Sequence, residues 1–214
     1  MIIRNFIERM KFFAEQLTSS FRLQDKIIII LHNFLYSLAY PLNRIYRIFT
    51  GSNLIPFEYF PFDITMKNSD GTFITRSKTE VDIISENFEK EVRKYFKNFK
   101  AGTFIDVGAN IGKYSIIISK QIKNIDKVIA IEPNEENFNL LKRNIEINNC
   151  RNVIPLQIAC WNKKSKLKLY DHVKSGKFSI IKKSSKFSYV DALPLDQVIK
   201  NMKKCVKAIY NILY

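Results

Sequence analysis

The pattern of apolar and polar positions changes character along the chain. Residues 1 to about 50 read as helical, with apolar positions at Ile3, Phe6, Ile7 and Met10 and an uncharged run that starts at Ile27-Ile-Ile-Ile-Leu31. Gly51-Ser-Asn53, Pro56 and Pro61 break that pattern. Ile64-Thr-Met-Lys67 and Thr72-Phe-Ile-Thr75 then flank Asn68-Ser-Asp-Gly71, which predicts a β-hairpin. Thr79 to Phe99 reads as one helix, capped by Thr79 with Asp82 three positions on. Its apolar stripe is Ile83, Ile84, Phe88, Val92, Tyr95 and Phe96.

From Thr103 onward strands and helices alternate. Thr103–Val107, Lys127–Ile131 and Asn152–Ile158 are apolar runs without alternation, which suits strands covered on both faces. Lys113–Ile122 is a helix with Tyr114, Ile117 and Ile118 inward, and Glu135–Asn148 is a helix with Phe138, Leu141 and Ile145 at helical spacing. Such alternation implies right-handed βαβ units and a parallel sheet. Pro155 speaks mildly against the third strand, because it removes one ladder donor. Lys166–Tyr170 and Phe187–Ala192 predict a further strand pair, and Leu195–Lys204 a helix. The expected fold is α/β and Rossmann-like: an incomplete parallel sheet with flanking helices, preceded by a β-hairpin and an N-terminal helical extension. The expected segments are a basic helical extension (1–50), a lead-in hairpin and helix (56–100) and a partial Rossmann-like domain (101–214).

Composition narrows the function classes. The chain has 214 residues, 46% of them hydrophobic, so it can build a core, and extensive disorder is excluded. Its formal charge of +15 points to nucleic acid, an anionic membrane surface or a plain solvated basic surface. The lysines are spread along the chain, which favours the solvated surface. No aromatic-and-basic recognition motif accompanies them, so no specific nucleic acid is expected. Cys150, Cys160 and Cys205 form no CxxC pair and no cluster with His32 or His172. That pattern implies no metal site, free thiols and a cytoplasmic location. His32, Asn33 and Ser37 make the run after Ile27 a poor membrane span, and no signal-peptide cleavage pattern accompanies it. A packed helix is the first reading there, and a membrane-surface contact through residues 1–50 the second.

The chemistry concentrates at Asp106-Val-Gly108-Ala-Asn110-Ile-Gly112, between a strand and a helix. Gly108 lets the backbone approach a ligand, and Gly112 lets the helix start close to the strand. The helix N-terminus presents free N–H groups to an anion. Those groups would face a pyrophosphate in a dinucleotide enzyme and a methionine carboxylate in a methyltransferase, where Asp106 is placed to hold the ammonium. Asn110 replaces the middle glycine of the dinucleotide fingerprint, which disfavours NAD. Glu132 ends the second strand, where an acidic residue can accept from both ribose hydroxyls. Gln157 to Cys160 end the third strand, where an adenine edge would lie. Together these residues outline one cofactor bed at the carboxyl edge of the sheet.

Thr103-Phe-Ile-Asp-Val-Gly-Ala-Asn-Ile-Gly112, Val128-Ile-Ala-Ile-Glu-Pro-Asn134 and Asn137-Phe-Asn-Leu-Leu-Lys-Arg-Asn144 resemble the FkbM family of S-adenosylmethionine-dependent methyltransferases. Asn152-Val-Ile-Pro-Leu156, Ala159-Cys-Trp-Asn162 and Ala192-Leu-Pro-Leu-Asp196 continue the resemblance, which covers roughly Asp63 to Lys200. It implies a Rossmann-like methyltransferase fold with S-adenosylmethionine as cofactor. Asp106, Gly108, Asn110 and Gly112 would hold its amino-acid end, Glu132 its ribose, and Gln157 and Ala159 would lie near adenine. It further implies O-methylation of a small-molecule or glycan hydroxyl. The family's fourth strand, an Asp-Val-Glu-Gly-type segment beside the transferred methyl, has no counterpart in Asn201–Tyr214. The expectation is therefore a methyltransferase truncated at its C-terminus, for which an active and an inactive chain both stay open, with no general base assigned among the available groups Tyr114, Asp171 and His172. The alternative is a non-catalytic cofactor- or partner-binding module that completes its sheet with another chain, as an oligomer.

Overall fold

The structure, a computed structural model, describes residues 11, 14, 16–20, 22–50, 58–86, 88–96, 99, 101–171, 178–179 and 186–205. The expectations for Ile3 to Met10, the break at residues 51–57, His172 and Val206–Leu213 lie outside them. The chain divides into two compact units, Met1–Asn68 with Thr72–Ser85, and Ser69–Gly71 with Glu86–Tyr214.

The first unit contains α1 (Leu23–Thr50), β1 (Tyr59–Lys67), β2 (Thr72–Ser77) and α2 (Lys78–Ile84). β1 and β2 form the expected hairpin, in register from Ile64↔Thr75 to Lys67↔Thr72. The register breaks between Tyr59 and Ile64, a stretch containing Pro61, which cannot donate to a ladder. α1 packs on β1, and its buried residues are Asp25, Ile29, His32, Ala39 and Asn43. Asp25 accepts from Arg22 Nε at 3.1 Å and from the Thr65 amide at 3.3 Å. The His32 ring meets Phe60 edge-on at 4.7 Å.

The cap of α2 is Ser77, not Thr79. Ser77 Oγ accepts from the Glu80 amide at 3.2 Å, and buried Glu80 is held by Arg76 Nη2 at 2.6 Å. That ion pair starts the helix two residues earlier than the Thr79 pattern suggested. The helix expected to run to Phe99 is instead two, α2 and α3 (Lys90–Phe96), with Glu89 between them at φ 50°. In α2, Asp82 has a buried Oδ1 without a hydrogen-bond partner. Burial pushes its carboxyl up to about 6, against the pull of Lys78 and with a push from Glu58. A folded pKa above the unfolded one costs stability once pH passes the unfolded value. Asp82→Asn should therefore stabilise the protein at pH 7 by on the order of 1 kcal/mol after solvent screening, a gain that vanishes below about pH 4. Thermal melts of both proteins across pH 4–8 measure this.

The second unit holds α3 and then the alternating segment: β3 (Ala101–Val107), α4 (Lys113–Gln121), β4 (Asn124–Ile131), α5 (Glu135–Ile147) and β5 (Val153–Leu156). These strands form a parallel sheet in the order β3-β4-β5. Val128, Ile129, Ala130 and Ile131 of β4 are all buried, as a strand covered on both faces requires. Ile129 and Ile131 pack with Val198 of α6 (Leu195–Cys205). β6 (Ala159–Cys160), β7 (Ser165–Asp171), β8 (Phe178–Ser179) and β9 (Phe187–Leu193) build a second sheet in the order β6-β9-β7-β8. Its β7–β9 pair is the antiparallel one expected, from Ser165↔Ala192 to Tyr170↔Phe187.

Pro155 does no harm to β5. The carbonyls of Asn152 and Leu156 accept from Val128 of β4 and from Glu132 just past it, so the alternate position 155 turns its missing donor away from β4. The buried face of α5 differs from the expected Phe138, Leu141 and Ile145: it is Asn137, Leu140, Leu141 and Asn144. The two asparagines are buried because they serve the neighbouring loops.

Candidate functional site

The loop Gly108–Gly112 is built by positive φ angles at Gly108 (81°), Asn110 (52°) and Gly112 (94°). The Gly108 and Ala109 amides both donate to the Ile131 carbonyl at 2.9 Å, which ties the loop to the tip of β4. A Cβ at Gly112 would lie 2.7 Å from Leu141 Cδ1, so this glycine lets α4 and α5 approach. A Cβ at Gly108 would meet nothing within 4 Å. Gly108 therefore faces open space, as a residue that admits a ligand must. Asn144 Nδ2 donates to the Ile111 carbonyl at 2.9 Å and anchors the loop from α5. Asn144→Ala leaves that buried carbonyl unpaired and should cost about 1–3 kcal/mol, read as a lower urea midpoint.

Two carboxylates border the loop. Asp106 is buried at the end of β3 and accepts from Ser115 Oγ at 2.7 Å. Burial raises its carboxyl above the usual range, against the hydrogen bonds from Ser115. Glu132 is buried just past β4, with one oxygen accepting from the Asn110 amide at 2.8 Å and the other from the Asn134 amide at 2.9 Å. Burial raises it too, and the Asp106 charge adds to the rise. Asn134 caps α5 by accepting from the Asn137 amide at 2.9 Å. Within this bed Asn110 Oδ1 is buried and has no hydrogen-bond partner.

Two carboxylates that burial holds above their usual range, with Asp106 pushing Glu132 further up, beside an orphaned amide oxygen, suit a ligand that brings a cation and hydrogen-bond donors. The ammonium and ribose hydroxyls of S-adenosylmethionine are such groups, so the residues present fit it. Asp106, Gly108, Asn110, Gly112 and Glu132 come together as the sequence reading anticipated. Gln157 is exposed past the end of β5. Ala159 begins β6 and packs its side chain with Leu169, Val190 and Ala192. Sequence reasoning missed Ser115, Asn134 and Lys113. Lys113, at the start of α4, is buried, donates to the Phe88 carbonyl at 3.2 Å and lies 5.1 Å from the Phe88 ring centre. A lysine in a first helical turn reads as solvated, so no local signal marked it. The Tyr114 hydroxyl donates to Glu89, and Asp171 pairs with Lys186 at 3.0 Å. Among the described residues there is no group of side chains able to hold a metal ion.

The parallel sheet with its flanking helices is a Rossmann-like methyltransferase fold, and S-adenosylmethionine is the cofactor that goes with it. Residues 75–188 match the TRM5/TYW2 methyltransferase domain, and the chain belongs to that family. The motif set resembles FkbM, whereas the family match is to TRM5/TYW2; what the two share is an S-adenosylmethionine-dependent methyltransferase domain. Among solved structures the chain is similar to TYW2 of M. jannaschii in complex with AdoMet, at 27% identity and a TM-score of 0.37, covering 44% of this chain and 42% of that one. It is similar to the M. jannaschii tRNA m1G37 methyltransferase at 19% identity and a TM-score of 0.35, covering 48% and 36%. It is also similar to the methyltransferase FkbM of Methylobacillus flagellatus KT, at 17% identity and a TM-score of 0.31, covering 46% and 23%. The matched region thus spans less than half of each of those proteins. A comparison with curated proteins gave no match.

Proposed function

We propose that the chain is the cofactor-binding part of a methyltransferase acting on RNA, with transfer RNA as the acceptor to test first. The match of residues 75–188 to the TRM5/TYW2 domain carries this reading. The formal charge of +15 supports it, since contacts to phosphates supply most of the sequence-independent affinity for RNA. The same charge then serves RNA contact in place of a plain solvated surface. In this reading Asp106 holds the cofactor's ammonium, and Gly108, Asn110 and Gly112 hold its amino-acid end. Glu132 accepts from the ribose hydroxyls. Gln157 and the backbone at Ala159 border adenine. When bound, S-adenosylmethionine supplies an electrophilic methyl group on sulfur. The loop and the two carboxylates orient it and shield it from water.

A sugar or natural-product hydroxyl is the second acceptor class, favoured by the resemblance of Phe104–Gly112 and Val128–Asn134 to FkbM. One assay separates the two: transfer of a tritiated methyl from S-adenosylmethionine to tRNA, or to a pool of glycans and small hydroxylated molecules. Label in tRNA that fades as salt rises is the expected outcome. Label in the hydroxyl pool alone would overturn the RNA reading. Calorimetric titration that finds no cofactor binding by the folded chain would overturn both.

A further inference from the structure

α1 buries a mixed face, with Ile29 and Ala39 among polar residues, and exposes an apolar one. Its buried face carries Asp25, His32 and Asn43, while Ile27, Leu31, Phe34, Leu38, Ile45 and Phe49 on the opposite side are each 48–82% exposed. At 3.6 residues per turn the exposed apolar positions fill an arc of roughly 160°, over a helix about 42 Å long. No charged residue falls inside that arc. A soluble surface does not leave so large a continuous apolar patch without a partner.

We propose that α1 lies along the surface of an anionic lipid bilayer, with this arc sunk among the acyl chains and the hairpin unit above it. Charge complementarity selects the partner. Lys26 and Arg44 fall on one flank of the arc at the same angular position, with Arg47 next to them. There they reach lipid phosphates while their stems stay apolar. The only carboxylate in Leu23–Thr50 is Asp25, which is buried and paired with Arg22. The width of the arc argues against a second copy of the helix. A helix pair seals a narrow seam and leaves the rest of such an arc wet, whereas a bilayer covers all of it. The helix lies on the membrane and does not cross it: among the described residues none is long and apolar enough to span.

The test uses the full chain and large vesicles of phosphatidylcholine containing about 30% phosphatidylserine. Wild type is expected to sediment with them. The double variant Phe34→Glu/Leu38→Glu changes only exposed side chains, and circular dichroism checks its fold. It should lower partitioning on the order of 100-fold. Lys26→Gln/Arg44→Gln/Arg47→Gln should weaken binding by a similar factor and remove the preference over pure phosphatidylcholine. Two results would overturn the proposal. One is a wild type that stays in the supernatant, or a double variant that binds as wild type does. The other is a stable dimer that Phe34→Glu/Leu38→Glu converts to monomer, which assigns the face to a second copy.

Discussion

Gly112→Ala should cost about 2–5 kcal/mol of stability, whereas Gly108→Ala should cost only about 1–2 kcal/mol, the strain of positive φ alone. Both glycines sit at positive φ in one loop, 94° and 81°, so backbone strain alone cannot separate them. What separates them is what lies in front. At Gly112 the added methyl meets Leu141 Cδ1 at 2.7 Å, and because Leu141 is fully buried its side chain can shift only by disturbing the packing around it. At Gly108 it enters empty space. Cofactor binding should reverse the order of interest. Gly108→Ala puts a methyl where the ligand approaches, so affinity falls while the fold persists. Gly112→Ala loses both together. Urea denaturation and calorimetric titration on the two variants read these outcomes. Equal stability losses would show that Leu141 yields. An unchanged affinity in Gly108→Ala would remove that space from the cofactor bed.

The parts of this fold that could be read from the sequence are those where local pattern and tertiary burial ask for the same residues. β4 is apolar on both faces because both faces are covered from Val128 to Ile131, and Asp106–Gly112 sits between strand and helix, which puts it at the carboxyl edge of the sheet. Reading failed where a tertiary partner chose between locally equivalent options. Ser77 and Thr79 can each cap a helix; the Arg76–Glu80 pair selects Ser77. On α5 the apolar spacing of Phe138, Leu141 and Ile145 is real, but the loops need amides, and Asn137 and Asn144 take the buried face. On α1 the helix is legible from the uncharged run after Ile27, yet nothing local says which face meets the hairpin. Asp25 decides it by accepting from the Thr65 amide of β1, a partner 40 residues away that no helix-periodicity argument reaches. Pro155 is the converse case: an objection based on a missing donor disappears once strand order shows which side of β5 bonds to β4.

Asp106→Asn is expected to move stability and cofactor affinity in opposite directions. Burial raises the Asp106 carboxyl, so its ionised form is disfavoured in the folded protein despite the hydrogen bonds from Ser115. For a carboxyl with a raised folded pKa, the native state holds its proton longer than the unfolded chain does. Stability from this group therefore falls as pH rises through the window between the unfolded value, about 4, and the raised folded value. Asparagine carries no such charge and keeps one acceptor for Ser115. At pH 7 the variant should melt at the same temperature as wild type or higher, and the difference should close below about pH 4. Affinity for S-adenosylmethionine should instead fall on the order of 100-fold, about 2.7 kcal/mol, because the ammonium loses its anionic partner in a buried site. A residue kept for packing alone would lose stability and leave affinity in step with it. Thermal melts across pH 4–8 and titration of cofactor at pH 7 on the same two proteins decide between these. A variant that is destabilised yet binds as wild type would return Asp106 to a structural role and leave Glu132 as the carboxylate on which the cofactor bed depends.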